Sequence, residues 1–291
     1  MLSSTSNLGA NIMKNQKLVD GSNIPMVGLG TAGLQDDKCE QAIKWALEIG
    51  YRHIDSAWAY RNQPAIAKAI KQFGIQREDL FITSKVWRDY LSYEKALRQC
   101  NEILDQLQMD YVDLLLTHWP SDANVRSAQK PENVVPLEET LAAFHEIHKA
   151  GKAKHVGVSN YNINLIKQAQ EISSIPIAVN QVHFHLSDHN CSENVSQNLV
   201  DFCLRSNVVM TAYCPLASGW CPAGGGILKH PTLSEISRNH DKTPAQIALR
   251  WIIEQGVTVI PRSSSQDHLR ENMEIFDFEL SETEMVQLNT L

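Results

Sequence analysis

Short runs of apolar and β-branched residues recur along the chain, each bounded by polar or turn-forming residues. Near-continuous apolar character, without strict alternation, is typical of parallel strands covered on both faces. The pattern therefore predicts eight buried parallel strands. The runs are MVGLGT (26–31), HIDSA (53–57), LFITSKV (80–86), YVDLLLTHW (111–119), KHVGVSN (154–160), IAVNQVHFH (177–185), VVMTAYCP (208–215) and VTVIPR (257–262).

Helical segments with recognisable ends lie between these runs. Asp37 and Glu40 have the spacing of a capping box, and Gly50 supplies the stop of the helix that follows. Thr243, followed by proline, is the predicted N-cap of a later helix that ends at Gly256. Since strands and helices alternate and no Pro- or Ser-rich linker divides the chain, we predict a single-domain (β/α)8 TIM barrel.

Composition and charge narrow the function. The 291 residues are 43% hydrophobic and 20% charged with a net charge of -7, which disfavours a nucleic-acid partner. The six cysteines lack the pairing and density of a disulfide scaffold. No run is long enough for a membrane helix. We expect a cytoplasmic monomer that acts on a small molecule, with residues 1–15 as a flexible leader and residues 16–291 as the barrel.

A glycine motif near the first strand resembles a dinucleotide fingerprint. Gly28-x-Gly30-x-x-Gly33 is followed about twenty residues later by Asp55. In a true fingerprint the third glycine lies in the first turn of a helix that faces the pyrophosphate. Here the predicted helix starts at residues 36–37, where two aspartates would repel phosphate. The fingerprint interpretation is therefore disfavoured.

Four polar residues mark the carboxyl ends of predicted strands 2, 3 and 4, where barrels build their sites. They are Asp55, Tyr60, Lys85 and His118. Lys85 would lower the pKa of the Tyr60 phenol, Asp55 would keep Lys85 charged, and His118 would donate to a carbonyl oxygen. This set predicts carbonyl reduction. Each residue alone is more often a structural group than a catalyst, and Asp55 with Lys85 alone could be a buried ion pair, so the catalytic interpretation depends on the four together.

Three segments then resemble the signatures of one family in chain order. GYRHIDSAWAYRNQ is similar to the first aldo-keto reductase signature, KHVGVSNY to the second and VIPRSSSQDHLREN to the third. The resemblance runs from about Leu18 to the C-terminus. It implies that the four residues are a catalytic tetrad, that Tyr60 is the general acid, and that NADPH, or alternatively NADH, supplies the hydride.

The resemblance also implies the cofactor contacts. Gly30 and Thr31 would lie beside the nicotinamide ribose, and Ser159, Asn160 and Gln181 would hold the carboxamide. Tyr213 would stack on the ring. The remaining implied contacts are Asp55, Leu216 and Ser218, then Arg262, Ser263, Ser264, His268, Glu271 and Asn272 towards the adenosine end.

This chain departs from the family pattern at several positions. Where this chain has Arg262 the family usually has Lys, and where it has His268 the family usually has Arg. Arg262 can still bind a 2′-phosphate, whereas His268 would bind it more weakly. His183 replaces a usual Glu, Leu186 a usual Pro, and Ala67 a usual Gly. We expect NADPH to be preferred.

The substrate side is inferred from three tryptophans. Trp58, Trp87 and Trp119 each follow a catalytic position and would wall an apolar pocket with His118, although packing under loops would also account for them. Many relatives carry a longer C-terminal tail, so we expect an open site that accepts small aldehydes and ketones.

Two alternatives come from other function classes. Some relatives are redox-sensing subunits that bind the dinucleotide and turn over slowly. His183-x-His185 also suggests a zinc site, because alternate strand residues point the same way, but the sequence offers no further ligands at the other strand ends. We therefore expect no metal.

Overall fold

The computed structural model describes residues 14–122, 134–186, 197–217 and 226–291. The strands are β1 (Asn15–Lys17), β2 (Asn23–Pro25), β3 (Leu29–Gly30), β4 (His53–Asp55), β5 (Phe81–Val86), β6 (Val112–Thr117), β7 (Ala153–Ser159), β8 (Ile177–His183), β9 (Val209–Tyr213) and β10 (Thr258–Val259). The helices are α1 (Asp36–Ile49), α2 (Gln63–Phe73), α3 (Tyr93–Leu107), α4 (Leu137–Lys149), α5 (Ile163–Ile172), α6 (Gln197–Arg205), α7 (Pro231–Asn239), α8 (Pro244–Glu254), α9 (Gln266–Met273) and α10 (Glu282–Leu288).

Strands β3 to β10 form one parallel sheet in which each strand pairs with its neighbours in chain order. A parallel bridge between Val27 and Val259 joins its two edges. The Gly28 N–H donates to the Val259 carbonyl at 2.8 Å, and the Gly30 N–H donates to the Pro261 carbonyl at 3.2 Å. These bonds leave no open edge there, so the predicted (β/α)8 barrel is confirmed.

An antiparallel hairpin, β1–β2, covers the end of the barrel where the strands begin. Leu18 and Ile24 of this hairpin are buried against the inner side chains of the barrel, among them Phe81, Leu114 and Val209. This end is therefore filled by apolar packing, which leaves the opposite end for polar chemistry. Residues 1–13 of the predicted leader lie outside the described residues, and Asn15 begins β1.

The helix ends agree with the sequence in part. The capping box expected at Asp37 and Glu40 is wrong: α1 has no side-chain cap, and Glu40 instead pairs with Lys68 of α2 at 2.6 Å. Gly50 ends α1 in the left-handed conformation, with φ of 114°, as predicted. Thr243 caps α8 as predicted. In the described part of the chain, no helix is long and apolar enough to cross a membrane.

His53 is a buried histidine inside the barrel, beneath the polar end. Its Nε2 lies 3.1 Å from Thr83 Oγ1, and its ring meets the edge of Phe81. A Cβ atom at Gly28 would lie 2.6 Å from the ring, so the glycine provides its space. Burial, only partly opposed by the charge of Asp55, lowers the pKa of His53 from 6.5 to about 4.

We predict that His53 makes folding sensitive to mild acid. Between pH 6.5 and about 4 the unfolded chain protonates this ring and the folded barrel does not. The unfolded state then binds more protons, so the free energy of unfolding falls as pH falls. Relative to His53→Gln, the wild type should lose about 3 kcal/mol over this range. Urea denaturation at several pH values measures it, and parallel pH slopes for the two proteins would contradict it.

Candidate active site

The polar end of the barrel contains a buried ion pair. Asp55 is the last residue of β4, and Lys85 lies near the end of the adjacent β5. Lys85 Nζ is 2.6 Å from Asp55 Oδ1, and the two side chains are only 1% and 2% exposed. Parallel pairing of β4 with β5 brings the two residues together, because the ends of neighbouring strands meet at one rim.

Tyr60 completes the surroundings of this ammonium. It ends a short 3-10 turn, Trp58–Tyr60, that follows β4. Lys85 Nζ lies 3.5 Å from the Tyr60 hydroxyl, and it donates to the Ser56 carbonyl at 2.7 Å. With the bond to Asp55, all three N–H groups of the ammonium are therefore directed at oxygen atoms.

His118 follows β6 and lies beside Tyr60. The two rings are edge to face with centroids 5.5 Å apart, and the ring of Trp87 also lies edge to face with the imidazole, at 5.3 Å. The backbone N–H of His118 donates to the Val86 carbonyl at 2.8 Å, which extends the pairing of β5 and β6. Within the described residues, His118 Nδ1 has no hydrogen-bond partner.

The protonation states differ from the expectation in one respect. Burial, followed by the negative charge of Asp55, raises the pKa of Tyr60 well above 10.0. The expected net lowering of this pKa is therefore wrong, because burial and the charge of Asp55 outweigh the effect expected of the Lys85 ammonium. Burial lowers the pKa of Lys85, and the charge of Asp55 opposes that effect. Burial and the charge of Lys85 lower the pKa of His118 well below 6.5, so its ring is neutral at neutral pH.

Hydrogen bonds from other strands hold Asp55. Gln181 Nε2, from β8, donates to Asp55 Oδ2 at 2.7 Å. Thr31, just after β3, donates through its hydroxyl to the Asp55 carbonyl at 2.9 Å. The bond from Thr31 goes to the main chain, and Lys85 on Oδ1 with Gln181 on Oδ2 gives each carboxylate oxygen a donor, as a buried charge requires.

A cluster of amide and hydroxyl groups lies on the neighbouring strands. Ser159 Oγ donates to the Gln181 carbonyl at 2.7 Å. Asn160 has a φ of 65°, and its Nδ2 donates to the His118 carbonyl at 3.0 Å. The Tyr213 hydroxyl donates to Asn160 Oδ1 at 2.9 Å. The structure thus brings the predicted carboxamide contacts together beside the tetrad.

Asn62 is a site residue that the sequence reasoning missed. Its Nδ2 donates to the carbonyls of Thr31 and Leu34, at 2.8 and 2.9 Å, and its Oδ1 accepts from Ser56 Oγ at 3.1 Å. It therefore ties the loop after β3 to the turn that carries Tyr60. The feature of the sequence that could have indicated Asn62 is its position two residues after Tyr60. In the structure the residue between them, Arg61, has a φ of 57°.

The residues predicted for the pyrophosphate and adenosine end come from the segments 216–218, 262–264 and 268–272. Leu216 is partly buried, and Ser218 lies outside the described residues. A Cβ atom at Gly33 would lie 3.0 Å from a guanidinium nitrogen of Arg262, so the loop after β3 and this arginine are neighbours. Arg262, Ser264 and His268 are exposed, Ser263 and Glu271 are partly exposed, and Asn272 is buried.

Trp58 and Trp119, the other two tryptophans predicted to line the substrate pocket with Trp87, differ in their surroundings. The indole N–H of Trp58 donates to Glu102 Oε2 of α3 at 3.0 Å, and its ring packs on Tyr90 at 5.1 Å. This contact is the packing that the sequence left open as an alternative. Trp119 is partly exposed directly after His118. Of the three, Trp87 is the one in ring contact with His118.

His183 and His185 are both buried, and their rings are 4.7 Å apart. The ring of His183 also lies 5.3 Å from that of Tyr213. In the described part of the chain, no group of three or more His, Cys, Asp or Glu side chains could hold a metal ion. The geometry found there is that of packed rings.

Comparison with known proteins shows which family has this arrangement. The model of the Aldo/keto reductase family matches residues 26–291. The chain belongs to the aldo/keto reductase family. This aldo/keto reductase is 34% identical to glyoxal reductase of Bacillus subtilis over 94% of this chain and 91% of that protein. It is also 34% identical to 9,11-endoperoxide prostaglandin H2 reductase of Trypanosoma cruzi over 92% and 88% of the two chains.

Solved structures agree with this assignment. The aldose reductase of Schistosoma japonicum superposes on this aldo/keto reductase with a TM-score of 0.85 and 34% identity, covering 96% of this chain and 92% of that one. An aldo-keto reductase complexed with NADPH superposes with a TM-score of 0.84 and 32% identity, covering 96% and 87%. The protein is thus an oxidoreductase of a family that uses NAD(P)H.

Proposed function

We propose that this aldo/keto reductase reduces aldehydes and ketones to alcohols, with NADPH as the hydride donor and Tyr60 as the general acid. The observation that carries the proposal is the meeting of the Tyr60 hydroxyl, Lys85 and His118 at one rim, with Lys85 Nζ 2.6 Å from Asp55 and 3.5 Å from the Tyr60 oxygen. A proton donor, a cation and a neutral imidazole are the groups that a carbonyl needs as it becomes an alcohol.

The donor set of this end fits a nicotinamide dinucleotide. Ser159, Asn160 and Gln181 would hold the carboxamide, and Tyr213 would lie against the ring. Gln181 Oε1 accepts no hydrogen bond from the described residues, so an acceptor is available for an amide N–H. When bound, the dinucleotide supplies the hydride.

Protonation states define what each residue does. Because burial raises its pKa, Tyr60 is a protonated phenol at neutral pH and holds the proton to be given. The neutral imidazole of His118 donates one N–H to the substrate oxygen and orients it. Tyr60 then transfers its proton to that oxygen as negative charge develops, and the Lys85 ammonium stabilises the phenolate that remains. Asp55 keeps Lys85 charged and in place.

The substrate class follows from the walls beside His118. Trp87, and by our proposal the partly exposed Trp58 and Trp119, would provide an apolar surface beside the hydrogen-bond donor of His118. Such a site binds small aldehydes and ketones by their carbonyl group and discriminates weakly among their substituents. Glyoxal reductase, a relative named above, acts by its name on a small dicarbonyl.

The test is a steady-state comparison of NADPH with NADH on a panel of small aldehydes and ketones. We expect turnover in the usual range of about 1–10³ s⁻¹ on several panel members. Turnover confined to one bulky steroid would contradict the proposed breadth. Tight dinucleotide binding with turnover far below this range would instead favour the redox-sensing subunit.

Cofactor preference is predicted to depend on residue 268. Arg262 and His268 are both exposed, and only Arg262 carries a permanent positive charge for a 2′-phosphate. His268→Arg should raise the NADPH-over-NADH ratio of kcat/KM by about threefold to fivefold, as expected for one exposed charge pair. Asp267→Asn is the control, since it adds the same charge one residue away. An equal rise in both variants would show a general charge effect.

A further inference from the structure

Gln181 joins the catalytic carboxylate to the cluster proposed for the carboxamide. Its Nε2 lies 2.7 Å from Asp55 Oδ2, and its backbone carbonyl accepts from Ser159 Oγ at 2.7 Å. Gln181 and Asp55 are both buried, so water does not substitute freely for these bonds.

The bond to Asp55 decides which way the Gln181 amide faces. A side-chain amide has a donor edge and an acceptor edge, and the hydrogen-bond network determines their assignment. Asp55 is an ionised carboxylate beside the Lys85 ammonium, so it can only accept. Gln181 must therefore turn its Nε2 towards Asp55, which leaves Oε1 on the other edge of the amide.

We infer that Asp55 orients the side-chain amide of Gln181, so that the site selects a carboxamide rather than a carboxylate on the pyridine ring of the dinucleotide. The inference rests on the proposed function, because it takes Gln181 as part of the nicotinamide site. Asp55 thus has a second role as a positioning residue: besides holding Lys85, it presents Gln181 Oε1 as an acceptor for the amide N–H. A carboxylate at that point would meet an acceptor and be rejected.

Asp55→Asn is the sharpest test of this role. The Lys85 ammonium needs an acceptor, so the new amide keeps its oxygen towards Lys85 and turns its Nδ2 towards Gln181. Gln181 then reverses to accept, and its N–H groups take the place of Oε1. The side-chain volume is unchanged, so the substitution reverses the hydrogen-bond polarity with little change of shape.

The measurement is the dissociation constant of NADP⁺ and of its nicotinic acid analogue, in which a carboxylate replaces the carboxamide. Quenching of tryptophan fluorescence reports both without turnover. The wild type should bind the amide form more tightly, and Asp55→Asn should reduce this preference by about tenfold, the effect of one hydrogen bond. In a Gln181→Met background, the same Asp55 substitution should change the preference less than about twofold, because coupled residues give non-additive effects.

Thr211→Val is the matched control. Thr211 pairs with Gln181 in the sheet, and its hydroxyl contacts Thr258 Oγ1 at 2.6 Å rather than Asp55. This variant should keep the wild-type preference. If Asp55→Asn does not fold, the double variant Asp55→Leu/Lys85→Met removes both charges and leaves Gln181 without an acceptor, and we expect a loss of preference of at least about threefold.

The outcomes separate the orienting role of Asp55 from the proposed carbonyl reductase function. A wild type that binds NADP⁺ and reduces carbonyls, with an unchanged amide preference in Asp55→Asn or in the double variant, overturns the orienting role alone. A loss of preference in Thr211→Val equal to that in Asp55→Asn overturns it as well, because the effect would then be general loosening of the barrel. A wild type that neither binds NADP⁺ nor turns over any carbonyl overturns the proposed function and this role with it.

Discussion

Tyr60→Phe is expected to lower kcat for carbonyl reduction by about 10³-fold, within the usual contribution of a positioned general acid. The substitution removes the hydroxyl that lies 3.5 Å from Lys85 Nζ and keeps the ring that packs on His118. Lys85 Nζ contacts the Asp55 carboxylate, the Ser56 carbonyl and the Tyr60 hydroxyl, and of these three groups the phenol is the one with a proton to give. The dissociation constant of NADPH should change less than about twofold, because the lost hydroxyl acts in the transition state and not in binding of the dinucleotide.

The measurement combines steady-state kinetics with fluorescence titration of NADPH. Tyr90→Phe is the matched control, because it makes the same chemical change at a tyrosine that packs on Trp58. Its kcat should remain near that of the wild type. Unchanged turnover in Tyr60→Phe would remove the general acid from the mechanism, whereas a parallel loss of NADPH binding would show that the substitution disturbs the site as a whole.

Asp55→Leu is expected to lower the free energy of unfolding by about 3–5 kcal/mol, because it leaves an ammonium buried without its counter-charge. Lys85 is 1% exposed, and its Nζ lies 2.6 Å from the carboxylate that this change removes. The hydroxyl of Tyr60 and the carbonyl of Ser56 remain as acceptors but carry no charge. Urea denaturation at pH 7 measures the loss, and Lys85→Met in the same background should recover part of it.

An ion pair of the same length provides the control for this prediction. Lys68 Nζ also lies 2.6 Å from a carboxylate oxygen, that of Glu40, but the Lys68 side chain is 57% exposed. Lys68→Met should therefore leave the urea midpoint of unfolding close to that of the wild type. Similar losses in the two variants would mean that burial does not govern the Asp55–Lys85 pair.

The strands and the rim positions of the site residues could be predicted from local patterns. Runs such as 80–86 and 111–119 are mostly apolar because both faces of the strand are covered, and consecutive residues show this pattern in the sequence. Lys85 and His118 fall at the ends of these runs, and parallel strands present their ends at one rim. Gly50 likewise marks the end of α1 through its own backbone freedom.

Interactions between distant segments were not visible in such patterns. The capping box at Asp37 and Glu40 fails because α1 already begins at Asp36, and the Glu40 carboxylate pairs with Lys44 of the same helix and with Lys68 of α2. The direction of the Tyr60 pKa was misjudged because local reasoning counted the nearby cation and could not count burial. The hydrogen bonds of Asn62 and the Gln181–Asp55 bond were missed because they join residues that packing, and not sequence proximity, brings together.

The sequence by itself therefore determined the element types, their order around the barrel and the residues that reach its polar rim, because apolar runs, caps and signature spacings are properties of neighbouring residues. Only the tertiary structure decided how the edges of the sheet join through Val27 and Val259, that Gln181 donates to the second carboxylate oxygen of Asp55, and in which direction burial shifts the pKa values of the rim residues. Closure, hydrogen-bond partners and pKa values depend on distance and burial, and both arise only when remote parts of the chain pack together.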